Sequence, residues 1–247
     1  MATKKTTTTK SSTTKATSPK STTAKAKTTT TKKSTATTEK TTTKTTSKKQ
    51  KTDSKIYQLK ITLKGMKPPV WRRVLVKSDT PFNQLHLIIQ RSMSWCDGHL
   101  YGWEVNGREY TGQNTVFASL GFSDDDEADT SNHEFEETEI GKIIGDQEKT
   151  KFIYIYDFGD NWEHEILVEK ILPVDPDIKK YPVCITGKRA APPEDCGGPW
   201  GYQTLLEVLQ NPTHPEYEDY KDWIEEDFDP EYCNLDEINI RLTALDL

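Results

Sequence analysis

Cysteine is scarce in this 247-residue chain, and the four present, Cys96, Cys184, Cys196 and Cys233, are too few and too scattered for a disulfide framework. No apolar run approaches the roughly 20 residues that a membrane span requires, and no apolar leader follows Met1. The expectation is a soluble protein of a reducing cytoplasm with no membrane partner. The first 55 residues lack more: they hold no aromatic residue, no arginine, only two acids (Glu39 and Asp53) and, apart from Met1, nothing apolar larger than alanine. Such a segment has nothing to offset the roughly 1–2 kcal/mol per residue that ordering a backbone costs. Residues 1–55 therefore read as a disordered, low-complexity tail, and residues 56–247 as the globular domain that holds every Trp, Tyr and Phe.

What fills the tail is 23 Thr and 15 Lys, giving it a net charge of +13, whereas residues 56–247 carry −19. Lysines on a flexible chain, among them the pairs Lys4/Lys5, Lys32/Lys33 and Lys48/Lys49, neutralise phosphates without reading base edges. Ser18-Pro19-Lys20 has the form found in linker-histone-type tails, where phosphorylation removes part of the attraction. The expected partner of this arm is nucleic acid, bound non-specifically. A solubilising tether, or an arm folded back on the acidic domain, fits the same composition.

Alternating apolar residues predict a strand over residues 56–64 and a return strand over residues 70–76, joined by a turn over 65–69. Thr80 as N-cap and Pro81 at the first helical position open a helix of about 12 residues that carries Leu85, Ile88, Ile89 and Met93. Residues 100–105 and 108–110 flank Asn106-Gly107, a tight-hairpin signal. The fold class is α+β: a hairpin–helix–hairpin, β-grasp-like sheet layer extended by further strands over residues 151–157 and 162–169, with C-terminal helices over 202–209 and 217–224 and a last segment over 235–245. Residues 123–139 read as an exposed acidic loop, and residues 173–199 as a long connection without periodicity. Trp71, Phe158 and Trp162 are expected in the core. Arg72 and Arg73 must face opposite ways, so at least one is solvated or paired with a carboxylate.

Two polar clusters stand out. Asp157, Asp160, Glu163 and His164 flank a turn, and a histidine beside carboxylates suits a general base or a metal ligand. The same aspartates equally suit turn bonds to their own backbone. The second cluster is Cys184, Glu194, Asp195 and Cys196; with His99 and His164 its two cysteines make a two-cysteine, two-histidine set of the kind zinc takes. No CxxC pair supports that set, so no cofactor is predicted outright and zinc or another divalent ion stays an alternative. The glycine-rich stretch before residue 202 lacks the P-loop lysine and the dinucleotide fingerprint and reads as an elbow into a helix. No Gly-x-Ser-x-Gly elbow, HExxH helix or Cys–His nucleophile pair is present, so whether the chain is an enzyme stays open.

Five blocks in order, Pro68-Pro69-Val70-Trp71-Arg72-Arg73, the stretch from His86 through Trp95 and His99, Tyr156-Asp157-Phe158-Gly159-Asp160-Asn161-Trp162-Glu163-His164, Pro192-Pro193-Glu194-Asp195-Cys196-Gly197-Gly198-Pro199-Trp200-Gly201-Tyr202, and Phe228-Asp229-Pro230, resemble the plasmid pRiA4b ORF-3-like family over residues 57–247. The resemblance implies an α+β fold and no settled activity. It also brings a transposon-resolvase label carried by some members, hence a mobile-element accessory role, although no serine-recombinase pattern is present. The family often has a further cysteine where this chain has Ala191. The reading that results is a binding or adaptor module, an acidic domain for a protein or small-molecule partner with a basic arm. The alternative is a metal-assisted hydrolase or nuclease using Asp157, Asp160, His164 and Glu194.

Overall fold

Residues 54–112, 127–224, 228–245 and 247 are described by the structure, a computed structural model. The tail lysines Lys4, Lys5, Lys32, Lys33, Lys48 and Lys49 lie outside the described residues.

Alternation builds the first hairpin as expected: β1 (Ile56–Leu63) pairs antiparallel with β2 (Trp71–Lys77). After α1 (Phe82–Met93) comes the second, β3 (Tyr101–Val105) with β4 (Arg108–Gly112), turned by Asn106 and Gly107, both at positive φ. That conformation is the one a two-residue hairpin loop demands. β5 (Lys151–Tyr156) and β6 (Trp162–Leu172) lie between the hairpins, and β7 (Val183–Lys188) closes the far edge. The result is one seven-stranded antiparallel sheet in the order β4-β3-β5-β6-β1-β2-β7. β6, at 11 residues the longest strand, bonds both β5 and β1 and so joins the two hairpins.

In β5 and β6 burial alternates residue by residue: Phe152, Tyr154 and Tyr156, then Trp162, His164, Ile166 and Val168 point into the core, and their neighbours do not. This is the pattern of an antiparallel sheet with one covered face. α1 supplies the cover with Phe82, Leu85, Ile88, Ile89 and Met93, all at most 1% exposed. Its N-cap is Pro81, not Thr80, and no side chain caps it. The first amide of the helix instead bonds the Thr138 carbonyl, and Ile140 N bonds Thr80 O.

Four local expectations are corrected. The acidic stretch is helical over α2 (Glu127–Glu136), because Phe135 stacks between Tyr110 (centroids 3.7 Å apart) and Phe82 (4.3 Å) and Glu136 accepts from the Tyr101 hydroxyl. A short helix, α3 (Ile140–Ile144), follows it. The aperiodic connection contains β7, which pairs with β2; the side chain of Asn239 bonds both the N–H and the C=O of Cys184, shielding that edge. Trp71 is not in the core. The phase of Val74 and Val76 turns Arg72 inward, where its Nε donates to the Ser92 carbonyl at the end of α1 (2.9 Å). Trp71 then lies on the open face between Lys60 and Arg73, at 5.2 and 5.1 Å from its ring. Phe158 is likewise half exposed. The C-terminal helices are α4 (Gly198–Leu209), α5 (Tyr217–Trp223) and α6 (Leu235–Thr243), the last capped by the Asn234 side chain on Asp236 N and Glu237 N. Among the described residues no helix is long and apolar enough to cross a membrane.

Candidate functional site

Three connections meet at one place: residues 94–100 after α1, the β5–β6 turn at 157–161, and residues 192–199 before α4. They share an unusual backbone. Ser94, Asp97, Asp157, Asn161 and Asp195 all have φ between 55 and 68°, and Gly197 and Gly198 continue the left-handed run at 87 and 68°. Asp and Asn are the side-chain-bearing residues that tolerate this region best, which accounts for the choice of residue at four of the five non-glycine positions.

Polar bonds, some of them buried, pin these connections to the core and to one another. His86 of α1 stacks on Tyr101 at 3.6 Å, with Nδ1 2.7 Å from the Tyr154 hydroxyl and Nε2 2.8 Å from Asp97 Oδ1. Gln90 Nε2 also donates to the Tyr154 hydroxyl, and Gln90 Oε1 accepts from Asp97 N. One tautomer satisfies the set: Nε2–H donates to Asp97, and Nδ1 accepts from Tyr154. Burial lowers the His86 pKa against the opposing pull of Asp97, which keeps the ring neutral. Next to it, Tyr156 donates to Glu194 Oε1 (2.6 Å) and accepts from Gly98 N, while Glu194 Oε2 accepts from Cys96 N (2.9 Å). Trp95 Nε1 reaches the Pro192 carbonyl (2.9 Å). One carboxylate, Glu194, therefore ties its own segment to residues 94–100 and to the end of β5.

At the outer edge of this network His99 faces two aspartates. Its Nδ1 lies 3.7 Å from Asp157 Oδ2 and its Nε2 lies 3.2 Å from Asp195 Oδ1. Asp157 is buried and its other oxygen accepts from Gly159 N; Asp195 is open to solvent. One ligand atom from each of the three lies within 4.8 Å of the others, and among the described residues this is the one group of three or more His, Cys, Asp or Glu side chains so placed. One imidazole and two carboxylates suit a divalent cation of intermediate hardness.

The residues singled out from the sequence separate into two groups. Asp157, Asp160 and Glu194 all belong to the loop cluster, each with a side-chain bond that fixes backbone: Asp157 to Gly159 N, Asp160 to Gly197 N (3.2 Å), Glu194 to Cys96 N. His164 is elsewhere. It sits on the core face of β6, fully buried between Trp95 (5.3 Å) and Tyr154 (5.4 Å), with neither ring nitrogen hydrogen-bonded, and burial pushes its pKa down to about 4. Cys184 is on β7, where burial raises the thiol to about 11 against the pull of Arg72; Cys196 is half-buried in the 192–199 segment at about 12, raised by burial and then by Asp160. No three of His99, His164, Cys184 and Cys196 come together, so the zinc-type set is not assembled. The grouping of His99 with Asp157 and Asp195 escaped the sequence because 58 and 38 residues separate its members in turn; the available signal was that each lies next to or near a glycine in an acid-bearing loop. The glycine-rich elbow opens α4, with Trp200 85% exposed.

A seven-stranded antiparallel sheet with one helix-covered face, and loops cross-tied by carboxylates at one end, defines an α+β domain of a recurring kind. The sequence profile described as plasmid pRiA4b ORF-3-like protein matches residues 55–237, and the chain belongs to that family. It is 30% identical over 188 residues to the uncharacterized protein y4hQ of Sinorhizobium fredii, an alignment covering 75% of this chain and 90% of that protein. It is also similar to the crystal structure of a protein of unknown function, MM3350 of Methanosarcina mazei Go1, at 36% identity and a TM-score of 0.62, covering 75% of this chain and 97% of the other.

Proposed function

We propose that the chain is a binding module: an acidic α+β domain that presents its loop end to a protein or small-molecule partner, with a basic leading segment that associates with nucleic acid through charge alone. The observation that carries this reading is the use of Asp157, Asp160 and Glu194. Asp160 and Glu194 tie one loop to another and Asp157 fixes its own turn, where a general acid or base needs a side chain directed at open space. The rigid surface so formed displays Trp200 and Phe158, large aromatics of the type that anchor interfaces. The opposed charges, +13 over residues 1–55 and −19 over 56–247, support a division between the two parts. The test is fluorescence anisotropy on a labelled mixed-sequence DNA duplex, comparing the full chain with residues 56–247 over a range of salt. The reading requires that the full chain bind with a steep salt dependence and the shorter chain hardly at all. Equal affinity and equal slope for the two would remove it.

A second reading, a metal-assisted hydrolase or nuclease, is supported by the geometry of His99, Asp157 and Asp195 and not by the residue set expected from the sequence. Cleavage of a phosphodiester by the full chain with added Mn²⁺, lost in Asp195→Asn, would favour it; equal rates in the two proteins would exclude it.

A further inference from the structure

Seven buried polar side-chain atoms have no hydrogen-bond partner among the described residues, and two of them, Arg189 Nε and the Tyr202 hydroxyl, belong to side chains that line one cavity. The cavity, about 190 Å³, lies between the β1–β2 loop and α4, and shares no residue with the His99–Asp157–Asp195 group. Both residues are at least nine-tenths buried. Buried donors left unbonded are uncommon and call for a reason.

Each is a donor. Arg189 uses Nη1 on the Pro68 carbonyl (3.0 Å), and its Nε is ion-paired with Glu231 Oε1 at 2.7 Å without hydrogen-bond alignment. Burial pushes the Tyr202 hydroxyl up to about 12 although the Arg189 charge opposes it, so the group remains an O–H at any physiological pH. The Tyr202 hydroxyl is therefore a buried donor without an acceptor, and the Arg189 charge, shared with exposed Glu231, favours a negatively charged one. Met66, Pro68 and Leu206 supply an apolar wall to the same cavity. That wall disfavours a bare inorganic anion, and the volume, enough for roughly six waters, is too small for a nucleotide. Arg189 also holds φ at 67°, a conformation rare in a residue without an Asx side chain and one that concentrates at binding sites.

We propose that the cavity between the β1–β2 loop and α4 is a binding site for a small organic carboxylate, its head group taken by Arg189 and Tyr202 and its short apolar body by Met66, Pro68 and Leu206. Glu231, more than half exposed, already holds the guanidinium at 2.7 Å and so competes with a ligand carboxylate for it.

The experiment is an amide NMR titration of the full chain with butyrate, and with 1-butanol and inorganic phosphate as the other probes. Butyrate is expected to give saturable shifts centred on residues 65–67 and 202–210. Tyr202→Phe, which keeps the ring and removes only the hydroxyl, should weaken butyrate about tenfold, and Glu231→Gln, a surface change, should tighten it. The proposal is overturned if butyrate gives no saturable shift there, if 1-butanol matches it, if phosphate binds more tightly, or if both variants bind as the unaltered chain does.

Discussion

Asp160 and Gly198 meet backbone to backbone: a Cβ built on Gly198 would lie 2.4 Å from the Asp160 carbonyl oxygen. The neighbouring amide, Gly197 N, donates to the Asp160 side chain. The β5–β6 turn is thus locked onto the start of α4 by a contact that tolerates no side chain. Gly198→Ala faces both a clash with backbone that cannot step aside and a φ of 68°. Gly197→Ala faces only its φ of 87°, since the nearest atom to its Cβ is 3.5 Å away. By urea denaturation Gly197→Ala should cost about 1 kcal/mol and Gly198→Ala about 3 kcal/mol or more. Equal losses would mean the two connections do not meet as described.

The His99 group predicts a metal-dependent stabilisation. Any ion that binds the folded chain and not the unfolded one raises stability by mass action, by about 2.7 kcal/mol at one hundred times its dissociation constant. Thermal melts with added Mn²⁺ or Zn²⁺ should therefore shift upward in the unaltered chain and not in Asp195→Asn. Asp195 is exposed, so the substitution leaves the core untouched. An identical shift in both would place the ion elsewhere.

On the open face of the sheet, Arg73 and Glu169 form a two-point pair, Nε to Oε2 at 2.5 Å and Nη2 to Oε1 at 2.9 Å, and Gln58 donates to the same carboxylate at 2.7 Å. The hydrogen bonds from Arg73, with that from Gln58, outweigh partial burial and hold Glu169 down to about 2, from an ordinary 4.5. A carboxylate depressed on folding stabilises the fold fully above its unfolded value and loses that contribution as pH falls through the folded one. Glu169→Gln should be less stable at pH 7 by about 1–2 kcal/mol, and the gap should close between pH 4.5 and 2. A gap that persists at the acid end would assign the loss to packing and not to charge.

Much of the fold is legible in the chain. Six of the seven strands are expected from the sequence, by apolar patterning in β1, β2, β5 and β6 and by the Asn106-Gly107 turn for β3 and β4. The phase of Val74 and Val76 already implies that Arg72, not Trp71, faces inward; reading hydrophobicity alone inverts the pair. The same logic puts His164 in the core with Trp162, Ile166 and Val168, against its reading as a general base. β7 is illegible because it is a short edge strand whose register is set by β2 and whose free side is covered by a single asparagine from α6. α2 is illegible because an acidic helix docks through one large apolar side chain, Phe135, and polar bonds at Asn132 and Glu136. The loop cluster is beyond any local pattern: His99, Asp157 and Asp195 become neighbours only once β5 pairs with β3 and α4 returns over the turn.

His164 gives the sharpest pH test. Its ring is fully buried among aromatic side chains, and burial, opposed only in part by the Trp162 and Tyr154 backbone, lowers its pKa from 6.5 to about 4. Between those values the unfolded chain binds a proton that the folded chain refuses, so stability must fall as pH drops from about 6.5 toward 4 and level off below. The slope from one such group is at most about 1.4 kcal/mol per pH unit. His164→Leu, close in volume, removes the group and the slope with it. Its stability relative to the unaltered chain should rise steadily from pH 7 to pH 4, whatever offset repacking produces at pH 7. This window lies above that of Glu169, so the two effects separate in one series of denaturation curves. If the difference between His164→Leu and the unaltered chain stays flat from pH 7 to 4, His164 is charged in the fold, and a counter-ion must reach it within the core.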